Sequence, residues 1–174
     1  MITSRQVSPL VGAVLIAMII AGPARGQGPQ GHGPMRHDAA HAADMQLFHQ
    51  LFDHRSEISR QVVKRADGIE TVTESKNPEV ARLLRTHVES MLARVEDGRP
   101  IHRRDPLFAE LFRYADRITA RHDATADGVR VVETSDDPYV VLLLQAHADV
   151  VSAFIANGRA EMMKNHPLPP RPSP

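Results

Sequence analysis

Gly68-Ile69-Glu70-Thr71-Val72-Thr73-Glu74-Ser75-Lys76-Asn77-Pro78 returns sixty residues later as Gly128-Val129-Arg130-Val131-Val132-Glu133-Thr134-Ser135-Asp136-Asp137-Pro138. Each stretch reads the same way. A glycine opens a run rich in Val, Ile and Thr, residues that suit a pleated, half-buried strand. Asn77 or Asp137 then stands as a helix N-cap, with Pro78 or Pro138 at the first helical position.

Working outward, the correspondence continues without a gap. Leu47-Phe48-x-x-Leu51-Phe52 matches Leu107-Phe108-x-x-Leu111-Phe112, and Leu83-Leu84-x-x-His87 matches Leu143-Leu144-x-x-His147. Gly98-Arg99 and Gly158-Arg159 close the two copies. Residues 47–104 and 107–164 share 18 identities over 58 positions, far above the few that chance supplies, so the spacing predicts a duplicated unit. Two copies are too few for a solenoid.

The apolar spacing of Phe48, Leu51, Phe52, Ile58 and Val62 predicts a helix over 44–65, repeated over 106–125. Gly68 and Gly128 are expected to act as helix stops or turn formers, ahead of strands at 69–74 and 129–134. Further helices are expected at 78–96 and 138–157. The predicted fold is α+β and mainly helical, with two tandem helix–strand–helix repeats in one pseudo-two-fold domain. Its strands form a small antiparallel pair. The alternative is a four-helix bundle with extended connectors. The domain spans 45–165, with repeats at 45–104 and 105–164. The Pro-rich tail 166–174 cannot be helical.

The N-terminal residues have the layout of a secretory signal peptide over 1–26. Arg5 precedes the apolar run Leu10–Gly22, and Ala24-Arg25-Gly26 offers small residues at a cleavage point near Gly26. The run has 13 residues, short of the ~20 needed to span a bilayer. A flexible leader rich in His, Met, Gly and Pro is expected over 27–44. The expected location is periplasmic or secreted, with no stable membrane insertion after cleavage and room for a periplasmic protein partner. There is no cysteine, which excludes disulfides, thiolate metal sites and covalent haem attachment. The 21 basic and 21 acidic residues cancel and aromatics are 4%, so nothing favours a nucleic-acid partner.

His87 and His147 fall at matching places inside the apolar stripes of the second and fourth helices. Neutral imidazole ligates metals and haem iron. The pair is therefore a candidate cofactor site for haem, or for copper with His54 or Met91 as a further donor. A purely structural pair, each ring bonded to a strand carbonyl with no cofactor, is equally compatible with the pattern. His37, His41, Met45 and His49 recur every four residues and form a secondary candidate as a copper-collecting arm. Ser75 and Ser135 read as turn residues, and Glu89 and Asp149 as surface charges. Catalytic and nucleotide motifs are absent, so an enzymatic role comes third; the histidine pair favours a non-enzymatic binding protein, with a small structural or interaction module as the alternative.

Asp53-His54-Arg55, Thr73-Glu74-Ser75, Asp105-Pro106-Leu107-Phe108, Glu133-Thr134-Ser135-Asp136-Asp137-Pro138 and Gln145-Ala146-His147-Ala148 together resemble a group of exported bacterial proteins of unassigned activity. The resemblance covers about residues 41–168. It implies export and the duplicated domain, and carries no mechanism.

Overall fold

The computed structural model describes residues 39–172. The expected signal peptide, most of the leader, and His37 lie outside the described residues. Helix α1 (Ala39–Asp53) runs through a 3-10 turn at Arg55–Glu57 into strands β1 (Ser59–Arg65) and β2 (Gly68–Glu74), then helix α2 (Pro78–Glu96). Helix α3 (Pro106–Arg113) is followed by a 3-10 turn at Ala115–Arg117, β3 (Thr119–Ala124), β4 (Gly128–Thr134), α4 (Pro138–Asn157) and the short α5 (Arg159–Met162). The fold is α+β and mainly helical, with one antiparallel sheet of order β1-β2-β4-β3.

Three expectations are corrected. The helices expected over 44–65 and 106–125 end at Asp53 and Arg113, and β1 and β3 occupy what remained. Ile58 and Val62 misled because a spacing of four fits a helical turn and also two strand periods. In β1 the partly buried residues are Arg60 and Val62, an alternation of two. Asp67-Gly68 therefore ends a tight hairpin, with Arg65 opposite Gly68. The small strand pair becomes a four-stranded sheet, and the four-helix bundle with extended connectors is overturned. α2 and α4 match their expected spans, and Asn77 and Asp137 cap them by accepting the backbone N–H of Glu79 and Tyr139.

The sheet buries one face. Ile69, Thr71, Thr73, Val129 and Val131 point into the interior, while Val63 on the other face is 58% exposed. α4 lies on β2 and α2 lies on β4. α4 is apolar along most of its length because Val140, Leu143, Leu144 and Ala148 are fully enclosed against α3 and the sheet. A smaller cluster of Leu51, Val80, Leu83 and Leu84 joins α1 to α2. Asp44 on α1 and Arg94 on α2, both buried, form an ion pair in that interface, and Ser90 donates to the same carboxylate.

The central pairing depends on glycine. A Cβ on Gly68 would stand 1.9 Å from the Glu133 carbonyl oxygen, and one on Gly128 would stand 2.1 Å from that of Thr73. No backbone contact that short is tolerated, so β2 and β4 would have to separate. Gly128→Ala is expected to lower stability by about 1–3 kcal/mol, measured by urea denaturation. An unchanged midpoint would mean that the strands do not approach this closely.

Candidate metal centre

His87 and His147 sit one helical turn past the buried leucines Leu83-Leu84 and Leu143-Leu144. Both residues are half-buried overall, yet the Nδ1 atom of each is enclosed and has no hydrogen-bond partner. The ring-to-carbonyl bond that a purely structural role would use is not made at either Nδ1. An enclosed polar atom left unpaired costs about 1–3 kcal/mol. Each ring also meets a phenylalanine edge-on. His87 lies 4.7 Å from Phe48, and His147 lies 5.1 Å from Phe108. Phe48 and Phe108 are sixty residues apart, as are the histidines.

Burial, with the nearby Arg60 charge acting in the same sense, pushes both imidazoles down to about 4. Asp44 acts in the opposite sense on His87, and Asp105 on His147. The two rings lie within electrostatic reach of one another. Both are neutral at pH 7, which is the state that ligates a metal.

Sequence patterning missed the charged pair beside them. Arg60 falls within the helix expected over 44–65, and Glu133 within the strand expected over 129–134. In the sheet, Arg60 pairs with Thr73 and Glu133 with Ile69, whose side chains face the helices. Arg60 Nη1 donates to Thr73 Oγ1 at 2.6 Å, while its Nε is enclosed without a partner. Burial lowers Arg60 to about 10, opposed by Glu133, and raises Glu133 to about 6, opposed by Arg60. Strand register, invisible while β1 was read as helix, is the signal that places Arg60 here.

The other expected donors separate. His54 stands on the 3-10 turn after α1, where its Nδ1 pairs with Glu57 at 2.7 Å on the surface. The helix ends before it, so it does not join the stripe facing His87. Met91 is half-buried one turn beyond His87 on the same face of α2. His41, Met45 and His49 lie on α1, the first two half-buried and the third exposed. Among the described residues, no three His, Cys, Asp or Glu side chains are grouped to hold a metal ion. Ser75 and Ser135 accept the backbone N–H of Asn77 and Asp137 as turn residues, and Glu89 and Asp149 are exposed.

A further histidine, His166, anchors the C-terminal tail. Its Nδ1 meets the enclosed Asp105 at 2.5 Å and its Nε2 meets Glu161 at 3.1 Å. Asp105 also caps α3 through the Leu107 N–H and accepts the His166 N–H. Further on, Arg171 bonds to Glu110 and Tyr114 and lies 4.1 Å above the Tyr139 ring. Burial opposes protonation of His166, but its bonds to Asp105 and Glu161 outweigh that, and its pKa is raised. Lys164, His166 and Asn157 lower Glu161 to about 2. A raised histidine stabilises fully below its unfolded pKa, and that contribution fades as pH rises through the folded value. A lowered carboxylate stabilises above its unfolded pKa. The clasp is therefore tightest between pH 4.5 and 6.5. Amide exchange at Leu168 and Arg171 is expected to quicken above pH 6.5 beyond its intrinsic pH dependence, and to lose that extra step in His166→Gln. The same excess in both proteins would remove His166 as the anchor.

No family model matches this chain, and no curated protein or solved structure matches it.

Proposed function

We propose that this chain is an exported, non-enzymatic binding protein that holds a metal centre, a transition-metal ion or a haem iron, between His87 and His147. One observation carries the reading. Two neutral imidazoles at corresponding places on α2 and α4 each keep an enclosed Nδ1 with no protein partner. A ligand that accepts nitrogen donors would satisfy both atoms at once. The N-terminal layout supports export.

We read the domain as a duplication with its halves related by an approximate two-fold. The reciprocal register of β2 and β4 supports this, with Gly68 opposite Thr134, Thr71 opposite Val131 and Glu74 opposite Gly128. The equivalent Phe48–His87 and Phe108–His147 contacts support it too. Such a relation gives each half one ligand to a shared centre.

The test is native mass spectrometry of the mature protein, purified from an exporting host without chelator or affinity tag. A stoichiometric mass of metal or haem is expected, and its loss in the His87→Gln/His147→Gln variant. A bare mass that is unchanged after incubation with haem, copper and zinc would overturn the proposal.

A further inference from the structure

We infer that the surface under the C-terminal tail, formed by Glu110, Tyr114 and Tyr139, is a recognition site for a partner polypeptide. The partner presents an extended, proline-rich segment that carries an arginine. The chain's own tail fills the site as a tethered competitor. This inference is independent of the histidine pair.

The segment Pro167-Leu168-Pro169-Pro170-Arg171-Pro172 shows the chemistry that the site accepts. Four of its six residues are proline, which fixes φ and removes N–H donors. Its binding therefore cannot rest on strand-type pairing, and an extended form costs it little entropy. Recognition falls to the two other side chains. Leu168 is exposed. Arg171 is engaged from three sides. Its Nη2 donates to Glu110 Oε1 and to Tyr114 Oη, at 3.1 Å each, and its guanidinium lies 4.1 Å above the Tyr139 ring.

Glu110 on α3 is 7% exposed, and its carboxylate also takes the Tyr139 hydroxyl at 3.4 Å and Arg113 at 3.3 Å. The Tyr114 and Tyr139 rings stand edge to face, 5.7 Å between centroids at 77°. One planar guanidinium satisfies carboxylate, hydroxyl and ring face together, which a lysine ammonium cannot do. Sixty residues earlier the sequence has Gln50, His54 and Glu79 at these three places, so the set is not a requirement of the repeated pattern. Two further features suit exchange. The Arg171 side chain is 63% exposed, so its contacts are weakly desolvated and readily broken. Pro172 lines a cleft of about 520 Å³ together with Asp136, Pro138, Val141, Leu142 and Gln145, where a longer segment has room to continue. His166, bonded to Asp105 and Glu161, tethers the tail five residues before Arg171. Such a short tether gives the arginine an effective concentration on the order of millimolar. A separate segment therefore competes poorly while that arginine is present.

The experiment is fluorescence anisotropy of a dye-labelled peptide, Pro-Leu-Pro-Pro-Arg-Pro-Ser-Pro, titrated with the mature protein and with its Arg171→Ala variant. Arg171→Ala keeps the tail and frees the slot, so it is expected to bind the peptide about tenfold more tightly than the parent, or better. A peptide with lysine in place of arginine is expected to bind about tenfold more weakly. Adding Glu110→Gln to Arg171→Ala is expected to abolish binding. Adding Tyr114→Phe instead, which removes only a hydroxyl, is expected to weaken it severalfold at unchanged circular dichroism. Equal affinity of the parent and Arg171→Ala would overturn the tail as competitor. No binding to Arg171→Ala, at unchanged circular dichroism, would overturn the site itself. Affinity indifferent to the lysine peptide and to Tyr114→Phe would overturn arginine recognition. Parent dimers in sedimentation velocity that Arg171→Ala abolishes would overturn a separate partner and make the occupant the tail of a second copy.

Discussion

Acidifying the protein in the presence of a chelator from pH 7 to pH 4 is expected to cost on the order of 4 kcal/mol of stability through three half-buried groups alone. The sign follows from which state binds the protons. His87 and His147 are lowered to about 4, so between pH 6.5 and 4 the unfolded chain takes up protons that the folded chain refuses. Each shift is equivalent to about 3 kcal/mol, lost as pH falls through that window. Glu133, raised to about 6, acts oppositely. Between pH 6 and 4.5 the folded state binds its proton first, which returns about 2 kcal/mol. Urea denaturation across the range is the measurement, with His87→Gln/His147→Gln beside the parent. The variant's profile is expected to be flatter by the histidine contribution. Parallel profiles would mean that the two rings titrate as they do in the unfolded chain, and so are solvated.

Asp44→Ala is expected to have the largest effect of any single substitution, about 3–5 kcal/mol. Asp44 and Arg94 are each 3% exposed, and removing the carboxylate takes away a negative charge that a buried guanidinium meets in this interface. Restoring balance distinguishes charge from packing. Asp44→Ala/Arg94→Met, which removes both charges, is expected to recover most of the loss. If the double variant is no more stable than Asp44→Ala, the contribution of the site is packing of α1 on α2.

The sequence revealed the helices following the strands almost to the residue, because Asn77-Pro78 and Asp137-Pro138 mark their starts chemically. The strands preceding the hairpins were hidden. β1 reads Ser-Arg-Gln-Val-Val-Lys-Arg and β3 reads Thr-Ala-Arg-His-Asp-Ala, edge strands whose exposed positions carry charge and whose apolar content is too low for a period to show. Only the pairing with β2 and β4 makes them strands, and pairing is not local. The same limit applied to the site. His87 and His147 were legible because the same apolar neighbours recur sixty residues apart in the sequence. Arg60 and Glu133 were not, since their burial depends on strand register. His166 was legible only as part of a proline-rich tail, and its anchor Asp105 only as a helix cap. Its second role requires contact across 61 residues of chain.

The central claim is that one ion is bound jointly by His87 and His147. X-ray absorption at the edge of the metal retained by protein purified without chelator tests it most directly. The account predicts two imidazole nitrogens at roughly 2.0 Å from the ion. Single His87→Gln or His147→Gln variants should each lose one imidazole from the shell. A spectrum that is the same in the parent and in both histidine variants would contradict the account and place the metal elsewhere.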